Sequence, residues 1–282
     1  MSYYLTIAMV LPLLLAGCSR SHKAIQIKGS DTMVNLAQAW TEEFMKLSPE
    51  QPVAVTGGGS GTGVASLISG MTDIAQASRE MKAKEIKLAN ARGVKPKEIQ
   101  VASDGIAVVV HPSNPVNQLT KQQLSDIFTG KVKNWQEVGG GNQRIVPLSR
   151  DRNSGTHVFF LEEVIKLGKK KNPNEFSPGV LMMPSSQAIV EEVVGNSAAI
   201  GYIGLGYLTK KQKALAIAQD NGASYVIPTI KTVSRGEYPI SRSLLFYTNG
   251  TPSGEVKQFI DFVLSPAGQK VVLKMDFIPV KL

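Results

Sequence analysis

The segment VAVTGGGSGTGVASLI, residues 53–68, combines a short apolar strand, a glycine-rich loop and the beginning of a helix. Residues 53–55 predict the strand, and residues 64–68 predict the helix. The same order of strand, small-residue loop and helix recurs around residues 29–32 and again around residues 150–156. This alternation predicts an α/β fold with mostly parallel sheets.

The three loops are rich in Gly, Ser and Thr, and each precedes a predicted helix. A helix N-terminus offers unpaired N–H groups and a partial positive charge, and glycine lets a ligand approach the backbone closely. Hydroxyl groups add further donors, so each loop is suited to an anion. The same residues also serve as helix caps and turns. Three such loops, with Arg150 four residues before Ser154, favour one shared anion.

The composition indicates a globular protein. Of the 282 residues, 43% are hydrophobic and 19% are charged, which excludes collagen, a coiled coil and wholesale disorder. Chains of this length tend to divide into lobes, because single cores stop growing. The formal net charge of +9 favours anionic partners: small oxyanions, anionic lipid or nucleic acid. Cys18 is the single cysteine, which excludes intrachain disulfides and cysteine-based zinc sites.

Competing motifs fail at these loops. The loop at 57–63 has no lysine, as a nucleotide P-loop requires, and its glycines miss the dinucleotide-binding spacing. Ser60 is followed two positions later by Thr62 rather than glycine, so it does not form a nucleophile elbow. Metal-ligand spacing is lacking among the histidines His22, His111 and His157. Aromatic residues make up only 6% and are not interleaved with basic ones, which argues against nucleic acid. The sequence therefore predicts a binding protein without metal, cofactor or catalytic residues.

The N-terminus has the pattern of an export signal. Residues 5–17 are almost purely apolar, too short for a membrane-spanning helix but typical of a signal-peptide core. Residues 15–18, Leu-Ala-Gly-Cys, resemble the bacterial lipobox, in which the signal is cut before the cysteine and lipid is attached to its sulfur. We predict a lipoprotein signal peptide at 1–17, palmitate on Cys18 and a tether at 18–24. No Lys or Arg precedes the apolar run, so the true start codon is open. A buried N-terminal helix with a chance cysteine is the alternative.

Two crossings between lobes are predicted from turns beside apolar strands. The turn 111–115 follows the buried strand 106–110, and the segment 234–239 precedes the strand 244–247. These positions predict a discontinuous lobe I, residues 25–110 and 235–282, and a lobe II of residues 111–234.

The ordered motifs resemble the phosphate-binding component of bacterial ABC-type phosphate importers. The resemblance covers residues 25 to the C-terminus and depends on the order and spacing of six segments, since each one alone is weak. They are GSDT (29–32), GSGTG (59–63), DIAQASR (73–79), DGIAV (104–108), IFTGKVKNW (127–135) and RDRNSGT (150–156). The resemblance implies a two-lobed periplasmic-binding-protein fold of type II. Each lobe would have a mixed sheet flanked by helices, with the ligand at the hinge cleft and no enzymatic activity.

The resemblance also assigns roles to individual residues. The positions that match the family's phosphate-binding motifs are Ser30, Thr32, Ser60, Ser78, Arg79, Arg150, Ser154, Gly155 and Thr156. Arg150 is expected to make a charge-assisted contact to the ligand. In the best-known members an aspartate follows Ala-Ser and accepts the proton of hydrogen phosphate, but Arg79 stands there in this chain. Asp31 is the nearest candidate replacement, and its alternative role is a helix cap.

The family's biology implies the remaining expectations. The chain would be a monomeric, extracytoplasmic receptor, lipid-anchored to a membrane in the periplasm or at the cell surface. It would deliver phosphate to the transmembrane permease subunits of an importer with a cytoplasmic ATPase. Two alternatives stay open at this point: a receptor for sulfate, molybdate or tungstate, and a secreted phosphatase. A phosphatase needs a nucleophile with a base or a metal cluster, which the sequence does not indicate.

Overall fold

The computed structural model describes residues 23–280. The predicted signal peptide and Cys18 lie outside the described residues. Within residues 23–280, no helix is both long enough and apolar enough to span a bilayer.

Short strands alternate with helices through the described chain, as the loop pattern predicts. The strands are β1 Ile25–Gly29, β2 Val53–Thr56, β3 Ile74–Ala77, β4 Pro96–Val110, β5 Gln118–Thr120, β6 Val146–Arg150, β7 Leu181–Met183, β8 Ala199–Gly204, β9 Lys213–Ala214, β10 Ala216–Ala218 and β11 Ser241–Asn249.

The α-helices are α1 Val34–Leu47, α2 Ser60–Ile68, α3 Ala83–Ala91, α4 Lys121–Phe128, α5 Gly155–Phe160, α6 Ser186–Gly195, α7 Ile230–Ser234, α8 Gly254–Leu264 and α9 Pro266–Lys274. Short 3-10 turns cover Asp31–Met33, Trp135–Val138 and Leu205–Tyr207, and a π-helical turn, Leu161–Ile165, continues α5.

The main sheet is mixed, with the order β2-β1-β3-β11-β4-β8-β6-β7 and β9 beside β4. β1 pairs in parallel with β2 and β3, and β6 pairs in parallel with β7 and β8. β4 is 15 residues long and joins the two parallel groups. Its first part pairs antiparallel with β11, and residues 106–110 pair antiparallel with β8. The predicted α/β class with mixed sheets is confirmed.

Two main hydrophobic cores lie on either side of the point where β4 passes between the groups. In the first core, α1 buries its apolar face, and Trp40 meets the ring edge of Phe246 at 5.7 Å between centroids. In the second core, Phe160 stacks on Tyr202 at 3.8 Å. Each large apolar side chain that is fully buried stabilises the fold by about 1.5–3 kcal/mol, so both cores contribute substantially.

The change from one core to the other occurs inside β4. Ala102 still packs in the first core, whereas Ile106 packs in the second, a few residues before the predicted boundary at 110. Ile240 also belongs to the second core, although the predicted boundary places residue 240 in lobe I. The division into lobes with those limits stays a prediction.

Candidate anion-binding site

The carboxyl ends of β1, β2 and β3 bring together two of the predicted loops, those after β1 and β2, and the segment that follows β3. Parallel neighbours end at the same edge of a sheet, so the segments that follow them meet there. Ser30 Oγ donates to Ser78 Oγ at 2.9 Å, and the backbone N–H of Ser78 donates to Ser60 Oγ at 3.0 Å. All three serines are buried. They form the first side of the candidate site.

The loop between β6 and α5 supplies the opposite side. Ser154 caps α5, because its Oγ accepts from the N–H groups of Thr156 and His157. Thr156 Oγ1 lies 2.9 Å from Thr32 Oγ1, so hydroxyls from the two sides meet directly. The structure thus brings together the predicted loops that follow β1, β2 and β6.

Gly155 is required by this close approach. A Cβ atom at this position would lie 2.2 Å from Ser60 Oγ and 2.6 Å from Ser78 Oγ, closer than real Cβ contacts. The two sides can therefore meet here only because residue 155 has no side chain. Asn153 adds a second link, since its Nδ2 donates to Gly58 O at 2.8 Å.

Asp31 and Arg150 form an ion pair across the site, with 3.0 Å between Oδ2 and Nη1. Arg150 also donates to Ser186 Oγ at 2.9 Å and to the carbonyls of Met183 and Pro184. The buried guanidinium of Arg150 is thus held by the end of β7 and the residues that follow it, as well as by Asp31.

Arg79 lies in a different environment from the serine hydroxyls. Its two terminal nitrogens donate to Glu85 Oε1 and Oε2 at 2.7 and 2.8 Å, a bidentate ion pair at the start of α3. The Arg79 side chain also lines a cleft of about 360 Å³ that reaches Arg242. Its predicted role in phosphate binding stays a prediction.

Arg242 is the central residue that the sequence analysis missed. It lies near the start of β11, and its Nη2 contacts Thr32 Oγ1 at 3.3 Å and Thr156 Oγ1 at 3.1 Å. Asp104 Oδ2 accepts from both Nε and Nη2 of Arg242, at 3.2 and 2.9 Å. The sequence did carry one signal, an arginine just before the apolar run 244–247. An arginine that is buried beside such a strand requires a partner for its charge.

The charged side chains near the site occur mostly as oppositely charged pairs. Arg150 pairs with Asp31, and Arg242 pairs with Asp104. Burial raises the pKa of the Asp104 carboxyl, and the charge of Arg242 opposes that shift. Burial and the nearby charge of Arg152 lower the pKa of His157 to about 4, so this histidine is neutral at pH 7. The arrangement therefore offers hydroxyl and guanidinium donors with little net charge.

Metal binding has no support in this region. Among residues 23–280, no group of three or more His, Cys, Asp or Glu side chains could hold a metal ion. The donors at the site suit a small oxyanion, because tetrahedral oxygens accept hydrogen bonds from several directions.

Comparison with known proteins identifies the family. The model of the PBP superfamily domain matches residues 17–267. The phosphate-binding protein PstS of Pseudomonas aeruginosa is 34% identical over 268 residues, covering 89% of this chain and 81% of that protein. The chain belongs to the PstS family of the PBP superfamily. PstS of Bacillus subtilis is 33% identical, covering 94% of this chain and 83% of that protein.

A solved structure supports the same membership of the PstS family. It is a protein from Clostridium perfringens that is described as a phosphate ABC transporter substrate-binding protein and was solved with bound phosphate. It is 34% identical, has a TM-score of 0.81, and covers 92% of this chain and 100% of that chain. The family resemblance and the type II binding-protein fold expected from the sequence are confirmed.

Proposed function

We propose that this chain binds inorganic phosphate between the loops that follow β1, β2 and β3 and the loop that precedes α5. The observation that carries the proposal is the convergence of five buried hydroxyls from both sides of the site, two of which, those of Thr32 and Thr156, contact Arg242. The hydroxyls belong to Ser30, Thr32, Ser60, Ser78 and Thr156. The bound phosphate in the relative from Clostridium perfringens supports the choice of ligand.

Hydrogen bonds rather than net charge supply the affinity in this proposal. Each hydrogen bond to a charged ligand contributes about 1.5–3 kcal/mol, so several together outweigh dehydration and give micromolar binding or better. Both arginines already have carboxylate partners, so their N–H groups act mainly as oriented donors.

The test is calorimetric titration of the ligand-stripped chain with phosphate, arsenate, sulfate and molybdate. We expect phosphate to bind at micromolar concentration or below, with arsenate next because it has the same shape and protonation. Tighter binding of sulfate or molybdate than of phosphate would instead support the alternative function, a receptor for another tetrahedral oxyanion.

A receptor role in phosphate import follows from the same proposal. The relative from Clostridium perfringens is described as a phosphate ABC transporter substrate-binding protein, and we propose the same role here. The partners would be a transmembrane permease and its cytoplasmic ATPase, with the receptor acting as an extracytoplasmic monomer. Lipid on Cys18 would hold it at the membrane. Labelling with palmitate tests the anchor: the wild-type chain should be labelled, and Cys18→Ser should not.

A hydrolytic function is less well supported by the geometry. Ser149 Oγ lies 3.0 Å from His157 Nδ1, a pairing of the kind that activates a nucleophile. Ser149 is fully buried, however, and also lies 2.6 Å from the hydroxyl of Tyr202, so a substrate cannot reach it. We expect the wild-type chain not to hydrolyse a chromogenic phosphate ester. Hydrolysis that is abolished by Ser149→Ala would support the phosphatase alternative.

A further inference from the structure

The position of Arg242 distinguishes it from the arginine that the sequence pattern favoured. We infer that Arg242 is the guanidinium that contacts the bound oxyanion, and that Asp104 is the positioning residue that orients it. This inference rests on the proposed phosphate-binding function and deepens it.

The contacts of Arg242 place one edge of its guanidinium where the two sides of the site converge. Nη2 lies within 3.3 Å of the hydroxyls of Thr32 and Thr156, which come from opposite sides. Nη1 donates to the carbonyl of Ser78 at 3.0 Å, next to the cluster of serine hydroxyls. A tetrahedral anion held by these hydroxyls would therefore meet Nη2 directly.

Arg150 makes a different set of contacts. Its donors go to the carbonyls of Met183 and Pro184, to Ser186 Oγ and to the Asp31 carboxylate. These partners link Arg150 to the end of β7, to the segment that follows it and to the loop after β1. Arg242, by contrast, bonds to two of the hydroxyls predicted to bind the ligand.

Asp104 fixes the orientation of Arg242. Its carboxylate is fully buried; Oδ2 accepts from Nε and Nη2 of Arg242, and Oδ1 accepts from the backbone N–H of Leu205 at 2.9 Å. The ring of Phe159 lies 5.6 Å from the guanidinium carbon and covers it. Because these contacts hold the group in one orientation, little rotamer entropy is lost when the ligand binds.

A lysine at position 242 would keep the charge but lose the fork of donors. We therefore expect Arg242→Lys to weaken phosphate binding about tenfold or more, as measured by calorimetry. The matched control is Arg235→Lys, on an exposed arginine, which should bind phosphate like the wild type. Asp104→Asn should also weaken binding, because Arg242 loses its anchoring carboxylate.

A double-mutant cycle separates positioning from a general structural effect. If Asp104 acts through Arg242, Asp104→Asn should change phosphate affinity much less in the Arg242→Lys background than in the wild type. Equal losses in both backgrounds would overturn the positioning role of Asp104.

The outcomes distinguish this inference from the proposed function. Failure of the wild-type chain to bind phosphate would overturn the proposed function itself. Phosphate binding by the wild type together with an Arg242→Lys affinity within about threefold of it would overturn only the inference about Arg242.

A crystal structure of the wild-type chain with phosphate gives a test that does not depend on folding of the variants. We expect Arg242 Nη2 within about 3.2 Å of a phosphate oxygen, and a separation above about 4 Å would overturn the inference.

Discussion

The carboxylate of Asp31 bridges the candidate site, because it lies 3.0 Å from Arg150 Nη1 on the opposite side. The same oxygen, Oδ2, accepts from the backbone N–H of Ser186 at 2.9 Å. The backbone carbonyl of Asp31 accepts from the hydroxyl of Tyr207. One residue of the loop after β1 thus makes three contacts to the second side of the molecule, which suits it to hold the two sides together.

This geometry predicts the effect of Asp31→Asn. Loss of the charge weakens the pair with Arg150, so we expect the affinities for phosphate and sulfate to fall alike, by about tenfold, or about 1.4 kcal/mol. Calorimetry with both anions measures the ratio. A ratio shifted toward sulfate would show instead that Asp31 accepts the phosphate proton, as the sequence suggests. Asp261→Asn, which removes an exposed carboxylate, is the control.

Gly155→Ala should reduce phosphate affinity about tenfold or more, because its Cβ would collide with Ser60 Oγ and Ser78 Oγ. The two sides could then not approach as closely. Gly195→Ala is a matched control, since a Cβ at Gly195 would meet no atom within 4 Å. Wild-type affinity in Gly155→Ala would mean that the ligand is bound without this close approach.

Arg79→Gln tests a residue that the sequence places in the site and the structure pairs with Glu85. We expect a loss of about 1–3 kcal/mol in the free energy of unfolding, because a partly buried bidentate ion pair is broken. Phosphate affinity should stay within about threefold. Lys46→Gln, which breaks the exposed pair with Glu43, should change the free energy of unfolding much less, because exposed ion pairs contribute little to stability. A phosphate affinity more than about tenfold weaker in Arg79→Gln would instead show that Arg79 contacts the bound phosphate.

The low pKa of buried His157 predicts that the protein loses stability in mild acid. An unfolded histidine takes up a proton near its ordinary pKa of 6.5, whereas burial keeps folded His157 neutral until about pH 4. The folded state binds fewer protons between these values, so the free energy of unfolding falls as pH falls from 6.5 to 4. The loss from this group amounts to up to about 3 kcal/mol.

Denaturant titrations at pH 7.0 and 4.5 measure this loss. We expect a smaller difference between the two pH values in His157→Gln than in the wild type. His111→Gln serves as the control, because His111 lies at the surface, where it hydrogen-bonds to Ser113. If His157→Gln keeps the full wild-type difference, other groups cause the acid sensitivity.

Local patterns in the sequence were sufficient to predict several of the elements around the site. The apolar spacing of Leu36, Trp40 and Phe44 predicts α1, and these side chains are buried there. The predicted loops at 57–63 and 150–156 lead into helices as expected, although α2 already begins at Ser60 and α5 at Gly155, inside the predicted loops. These features depend on residues a few positions apart, through side-chain period, caps and turn geometry, so a single sequence carries them.

The pairing of charged groups was decided only by the tertiary structure. Arg242 reaches Thr32 across 210 positions of sequence, and it does so because β11 lies between β3 and β4 in the sheet. β4 itself passes from one core to the other as one unbroken strand of 15 residues, of which only 106–110 form a continuous apolar run. The sequence therefore determined which loops form the two sides of the site. Strand order and packing decided which arginine faces the hydroxyls. The partners of a long side chain are the groups that neighbouring strands place within hydrogen-bond distance, and these strands are far apart in sequence.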